Sequence, residues 1–119
     1  DYRLPLPSKR KLRYFAVDAE EMTATVVRGG PRYAFYGGKL CENLIQAMAR
    51  DVFAEGLFRV EDAGFNPILT VHDEVICEVP EGAAADALPE IIRLMTVAPA
   101  WAPDLPIEAE GCLADHYKK

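Results

Sequence analysis

The residues best equipped for chemistry stand together at His72-Asp73-Glu74, inside the stretch Ile68-Leu69-Thr70-Val71-His72-Asp73-Glu74-Val75-Ile76-Cys77-Glu78-Val79-Pro80. Two β-favouring apolar runs flank three polar residues, with no Gly, Asn or Ser to mark an ordinary surface turn. The pattern predicts an imidazole and two carboxylates at the tip of a half-buried hairpin, where charge is costly unless a cation meets it. The chemistry on offer is therefore metal binding. Asp73 and Glu74 are neighbours on extended backbone, so their side chains diverge and cannot share one ion by adjacency. Asp73, at the turn, is the expected ligand and Glu74 an accessory. A hard ion such as Mg²⁺ takes oxygen ligands, often one or two carboxylates plus substrate phosphates, so one Asp is half a site. The same residues also fit a solvated β-turn, in which Asp is common, and a hydrogen-bonded structural histidine at position 72. His-Asp pairs occur in metal-dependent phosphohydrolases too, but those sites need further His and Asp ligands, normally on helices. The other histidine here is His116, in the tail.

The bulk of the chain sets limits around that tip. Its 119 residues suffice for one domain at most, with a modest core. Half of the residues are apolar and 27% are charged, ordinary for a globular chain. No apolar run approaches a membrane span, and Asp1-Tyr2-Arg3-Leu4-Pro5 contains no signal core. The missing initiator Met leads us to expect a piece of a longer chain. Cys41, Cys77 and Cys112 are odd in number and lack a C-x-x-C spacing. That argues against a disulfide framework or zinc site and for a reducing cytoplasm. A formal charge of −6 argues against a generic basic nucleic-acid-binding surface. It leaves room for a nucleic-acid enzyme whose acidic residues hold divalent cations.

The elements that must position the tip follow from periodicity. Residues 3–16 alternate as a hairpin turning at Pro7-Ser8-Lys9-Arg10. Lys9, Arg10, Lys11 and Arg13 form the one basic cluster, which fits either a solvated hairpin tip or a contact to a phosphate backbone. Residues 20–28 suggest a strand ended by Gly29-Gly30-Pro31, and 32–36 suggest extended chain. After Gly37-Gly38, Leu40, Leu44, Ile45, Met48, Val52, Phe53 and Leu57 recur at helical spacing. They predict a long helix from about 39 to 61, roughly 35 Å in length, with Glu42, Asn43, Gln46, Arg50 and Asp51 largely off its apolar stripe. Asp62-Ala63-Gly64 stops it. Hairpin strands are expected at 66–72 and 74–79, and a helix at 83–96 with Pro89 awkwardly inside. An extended loop over 97–106 anchored by Trp101, a last strand over 105–110 pairing with the hairpin, and a polar tail complete the pattern. The fold class is α+β: a small antiparallel sheet with a central hairpin, packed against a long and a shorter helix.

Val71-His72-Asp73-Glu74 with its apolar flanks resembles motif C of the family A, polymerase I-like DNA polymerases. Tyr36-Gly37-Gly38-Lys39-Leu40-Cys41-Glu42-Asn43-Leu44-Ile45-Gln46-Ala47-Met48-Ala49-Arg50-Asp51 is similar to the helix preceding motif C in phage and prophage members. Leu105-Pro106-Ile107-Glu108-Ala109-Glu110-Gly111 resembles their final strand. Leu6-Pro7-Ser8-Lys9-Arg10-Lys11-Leu12-Arg13-Tyr14 resembles the hairpin after their fingers, where a Gly is usual in place of Lys9. The resemblance implies the C-terminal part of a polymerase palm. Asp73 would be the metal-binding and catalytic Asp, with Glu74 in support. His72 would meet the primer terminus, and Asn43, Gln46 and Arg10 would contact DNA. It implies two-metal nucleotidyl transfer with Mg²⁺, the site being completed by a motif A Asp that this chain lacks. Motif B is lacking as well. The expected partners are primer–template DNA, dNTP and the remainder of the polymerase, with no membrane. The lone segment is expected to be inactive and open to self-association. A non-catalytic prophage remnant, or an interaction subunit pairing with a separate chain, is the alternative.

Overall fold

In the computed structural model, which describes residues 1–118, helices and antiparallel sheets are segregated along the chain, and the α+β expectation holds. The chain divides into two units, 1–51 and 52–119.

The first unit is a four-stranded antiparallel meander and the start of a helix. Its strands are β1 (Tyr2–Pro5), β2 (Lys11–Asp18), β3 (Thr23–Thr25) and β4 (Tyr33–Ala34), in that spatial order. The β1–β2 turn follows from its sequence. Pro7 presets the first corner, and the Lys9 amide donates to the Leu6 carbonyl at 2.9 Å. Leu6 N–H then bonds Arg10 O at 2.8 Å, closing a three-residue loop. Lys9 sits in the left-handed region, with φ 69°. This is the position where such a loop ordinarily uses glycine. A bulge between Phe15 and Asp18 bends β2, and the Asp18 carboxylate accepts from the Glu20 and Glu21 amides at the next turn. Tyr14, Ala24 and Phe35 are the buried core, with Leu12 and Leu40 packed on them. The Tyr14 and Phe35 rings meet edge to face with centroids 5.1 Å apart.

Helix α1 (Gly37–Asp62) is slightly longer than its apolar stripe predicts. It ends as Gly64 (φ 86°) allows: Gly64 N–H bonds Glu61 O, and Phe65 N–H reaches back to Val60 O, a Schellman closure.

In the second unit β5 (Asn66–Val71) and β6 (Glu74–Glu78) form a two-stranded sheet of their own, with a bulge at Ile68. Helix α2 (Ala84–Met95) follows one turn of 3₁₀ helix, with Pro89 inside it. Gly56 lets α1 come close to α2, since a β-carbon there would lie 3.0 Å from the Met95 sulfur. Arg59 donates to the carbonyls of Leu94 and Val97, both at 2.9 Å, and caps the negative end of α2. Trp101 is half-buried and donates from Nε1 to Glu55 at 2.8 Å, which fixes the loop after α2.

The expected last strand over 105–110 is absent: the segment has no regular secondary structure and joins no ladder. Pro103 and Pro106 remove donors that a ladder needs. Gly111 lies so close to α2 that a β-carbon would meet Leu88 Cδ1 at 2.7 Å, so the chain follows the helix. The sheet expected around the β5–β6 hairpin is thus divided: the hairpin stands as two strands, and the four-stranded sheet lies in the first unit.

Candidate functional site

The β5–β6 ladder runs to the Val71–Glu74 pair and leaves His72-Asp73 as a two-residue loop. His72 has φ 54° and Asp73 is not in the left-handed region. Positive φ at the first loop residue alone is the sign pattern of a type II′ turn, which usually spends a glycine there. Histidine is among the residues that tolerate this region, at some cost. The loop holds His72 and Asp73 at the tip, both exposed, and makes Glu74 the first residue of β6.

Glu74 has a partner from the tail. The Tyr117 hydroxyl donates to its Oε2 at 3.1 Å. That hydrogen bond, helped by partial desolvation and the negative charge, pushes the Tyr117 phenol above its ordinary pKa. Asp73 offers a hard, exposed oxygen pair suited to Mg²⁺. Among the described residues no three His, Cys, Asp or Glu side chains gather into a metal site. The donor set at the tip therefore fits Mg²⁺ as one ligand of a larger set. Behind the tip, burial pushes the Cys77 thiol up, which marks it as a packing residue in place of a reactive one.

The other predicted contacts lie in the first unit. Asn43 is half-buried, and its Nδ2 donates to the Tyr14 hydroxyl at 3.2 Å. Gln46 is exposed one turn later and donates to Glu42 at 3.2 Å. Arg10 is committed elsewhere: its Nε donates to Asp51 Oδ1 at 2.6 Å and its Nη2 to the Ala47 carbonyl at 3.1 Å. The Ser8 hydroxyl donates to the other oxygen of Asp51. Asp51, expected off the buried stripe, is buried by this clamp. Nothing in the helical periodicity announces Asp51, because its partners come from a loop some forty residues earlier. Tyr117 was equally unannounced inside a tail that reads as polar.

These pieces together describe a class: an α+β segment with an acidic hairpin tip able to supply part of a divalent-cation site. Comparison with known proteins narrows it. The chain is 43% identical over 84 residues to a DNA polymerase of Bacillus phage SP02, covering 71% of this chain and 13% of that protein. It is 42% identical over 53 residues to a DNA polymerase of Mycobacterium phage D29, covering 43% of this chain and 9% of that protein. The chain thus spans about an eighth or less of the length of these relatives. No protein family and no solved structure matches it. No helix among the described residues is long and apolar enough to cross a membrane.

Proposed function

We propose that this chain is the C-terminal palm segment of a family A DNA-directed DNA polymerase, and that its β5–β6 hairpin is motif C. One observation carries the reading. A Val-His-Asp-Glu turn with an exposed Asp at its tip occurs in a chain similar to two phage DNA polymerases. Asp73 supplies one metal-ligating carboxylate, and a motif A Asp from elsewhere in the polymerase supplies the second. The chemistry that Mg²⁺ brings to such a site is activation of the primer 3′-hydroxyl and neutralisation of the triphosphate. Glu74 stands beside Asp73 in a supporting role, oriented by Tyr117. His72, held outward by its turn, meets the primer terminus. Asn43 and Gln46 offer amides towards DNA.

The test is made in the full-length polymerase that carries this segment. Asp73→Ala should lower primer extension by about a thousandfold or more, of the order seen when a transition-state charge stabiliser is lost. Affinity for primer–template should stay within about twofold, since phosphate contacts dominate binding. The 119-residue chain by itself should incorporate no nucleotide. Near-normal extension by the Asp73 variant would remove that residue from the metal site. Template-dependent extension by the isolated chain would overturn the assignment as a segment.

A further inference from the structure

The charge of this chain is divided unevenly. Residues 1–51 hold nine Lys and Arg against six Asp and Glu, a formal +3, while residues 52–119 hold four against thirteen, a formal −9. Within the basic unit the positive charge is concentrated on one hairpin. In the β1–β2 ladder Arg3 stands directly opposite Arg13, and Pro5 opposite Lys11. Alternation puts Arg3, Lys11 and Arg13 on one face, while Leu4, Leu12 and Tyr14 on the other turn inward. All three cations are exposed, as is Lys9 at the loop. None of the four has an ion pair or side-chain hydrogen bond among the described residues.

Like charges directly opposite each other on a ladder are destabilising. This hairpin keeps such a pair, with Lys11 one step along, in a chain that has acidic residues to spare. Its one cation with an internal partner is Arg10, which points the other way in function: it and Ser8 fasten the loop to Asp51 and to the helix carbonyl of Ala47. Loop attachment and charge display are therefore carried by different residues.

We infer that the outer face of the β1–β2 hairpin is a binding surface for a phosphodiester backbone, formed by Arg3, Lys9, Lys11 and Arg13. Asp51, Ser8 and Arg10 are positioning residues that hold this face in place without touching the nucleic acid. The inference rests on the polymerase reading, and it replaces Arg10 as the hairpin's DNA contact with its four neighbours. Lys11 and Arg13 are alternate residues of β2, about 7 Å apart, close to the separation of successive phosphates in an extended single strand, and Arg3 lies across the ladder from Arg13 at about 5 Å. Such a surface is sequence-blind and acts through release of counterions.

The experiment is the salt dependence of primer–template binding by the full-length polymerase, read as the slope of log affinity against log salt. Lys11→Ala and Arg13→Ala should each reduce the slope by about one, and the pair by about two. Arg3→Ala should behave like either single variant. Arg10→Ala should leave the slope as in the wild type while lowering the unfolding midpoint. Asp51→Asn, which keeps the shape and removes the charge, should also lower the midpoint. Slopes unchanged by the Lys11, Arg13 double variant, or reduced by Arg10→Ala alone, would overturn the inference while leaving the polymerase reading intact. Failure of the wild-type polymerase to bind primer–template would remove both.

Discussion

The two hairpins of this chain solve one backbone problem with opposite chemistry. Each has a short loop that demands a left-handed residue, and each places something other than glycine there: Lys9 at φ 69° in one, His72 at φ 54° in the other. The β1–β2 loop is basic and is bound down by a buried carboxylate. The β5–β6 loop is acidic and exposed, and Tyr117 of the tail ties down the Glu74 beside it. A left-handed L-residue costs roughly 1–2 kcal/mol. In the first hairpin that cost is offset by the Asp51 clamp. In the second it is borne where the proposed chemistry takes place, as strain at functional sites often is.

Substitutions can separate the two cases. The largest effect is expected from Asp51→Ala, which strips both Ser8 and Arg10 of their partner. With Arg10 half exposed, the loss should be about 2 kcal/mol, since charge-assisted bonds near a surface fall well short of buried ones. A urea titration checks this, and a midpoint equal to wild type would show that the clamp holds nothing. Next come the two glycine replacements. Lys9→Gly should stabilise the chain by about 0.5–1 kcal/mol, strain relief being partly offset by the entropy of glycine. His72→Gly should gain less, because histidine tolerates the left-handed region better than lysine does. In the full-length polymerase His72→Gly should slow extension at saturating primer–template, whereas Lys9→Gly should act only through DNA affinity, lowering the salt slope by about one. Equal effects on the rate at saturating DNA would erase the distinction between a left-handed residue that binds the backbone and one that stands at the chemistry.

The smallest effect concerns Tyr117. Its folded pKa is raised by the hydrogen bond to Glu74. The bond is therefore fully present below the ordinary tyrosine value of about 10 and is lost as pH rises through the higher folded value. Ring resonances of Tyr117 should report release of the tail only in that alkaline range, and Glu74→Gln should move the transition down. A transition unmoved by Glu74→Gln would dissociate the tail from the hairpin.

Local rules explain what the sequence made legible. The apolar stripe from Leu40 to Leu57 located α1 to within two residues at its start and one at its end, and Gly64 marked its stop. The β5–β6 hairpin was readable because two β-favouring runs converge on a polar tip, and the β1–β2 hairpin because Pro7-Ser8 sets a turn. Long-range bonds were not readable. Asp51 looked like a solvated helix residue until its loop partners were known. The segment 105–110 has the composition of a strand, but strand composition does not supply a neighbour, and its prolines make pairing harder still. At the candidate site the residue types at positions 72–74 suggested cation chemistry, whereas the contact from Tyr117 depends on how the chain returns past α2.

That return has a practical side. Tyr117 lies beside Glu74, so a group attached at Tyr117 sits close to the acidic turn. A polyhistidine tag placed there would bring imidazoles next to Asp73 and would capture transition-metal ions used as probes in place of Mg²⁺. Purification handles for metal-binding work on this protein belong at another point in the chain.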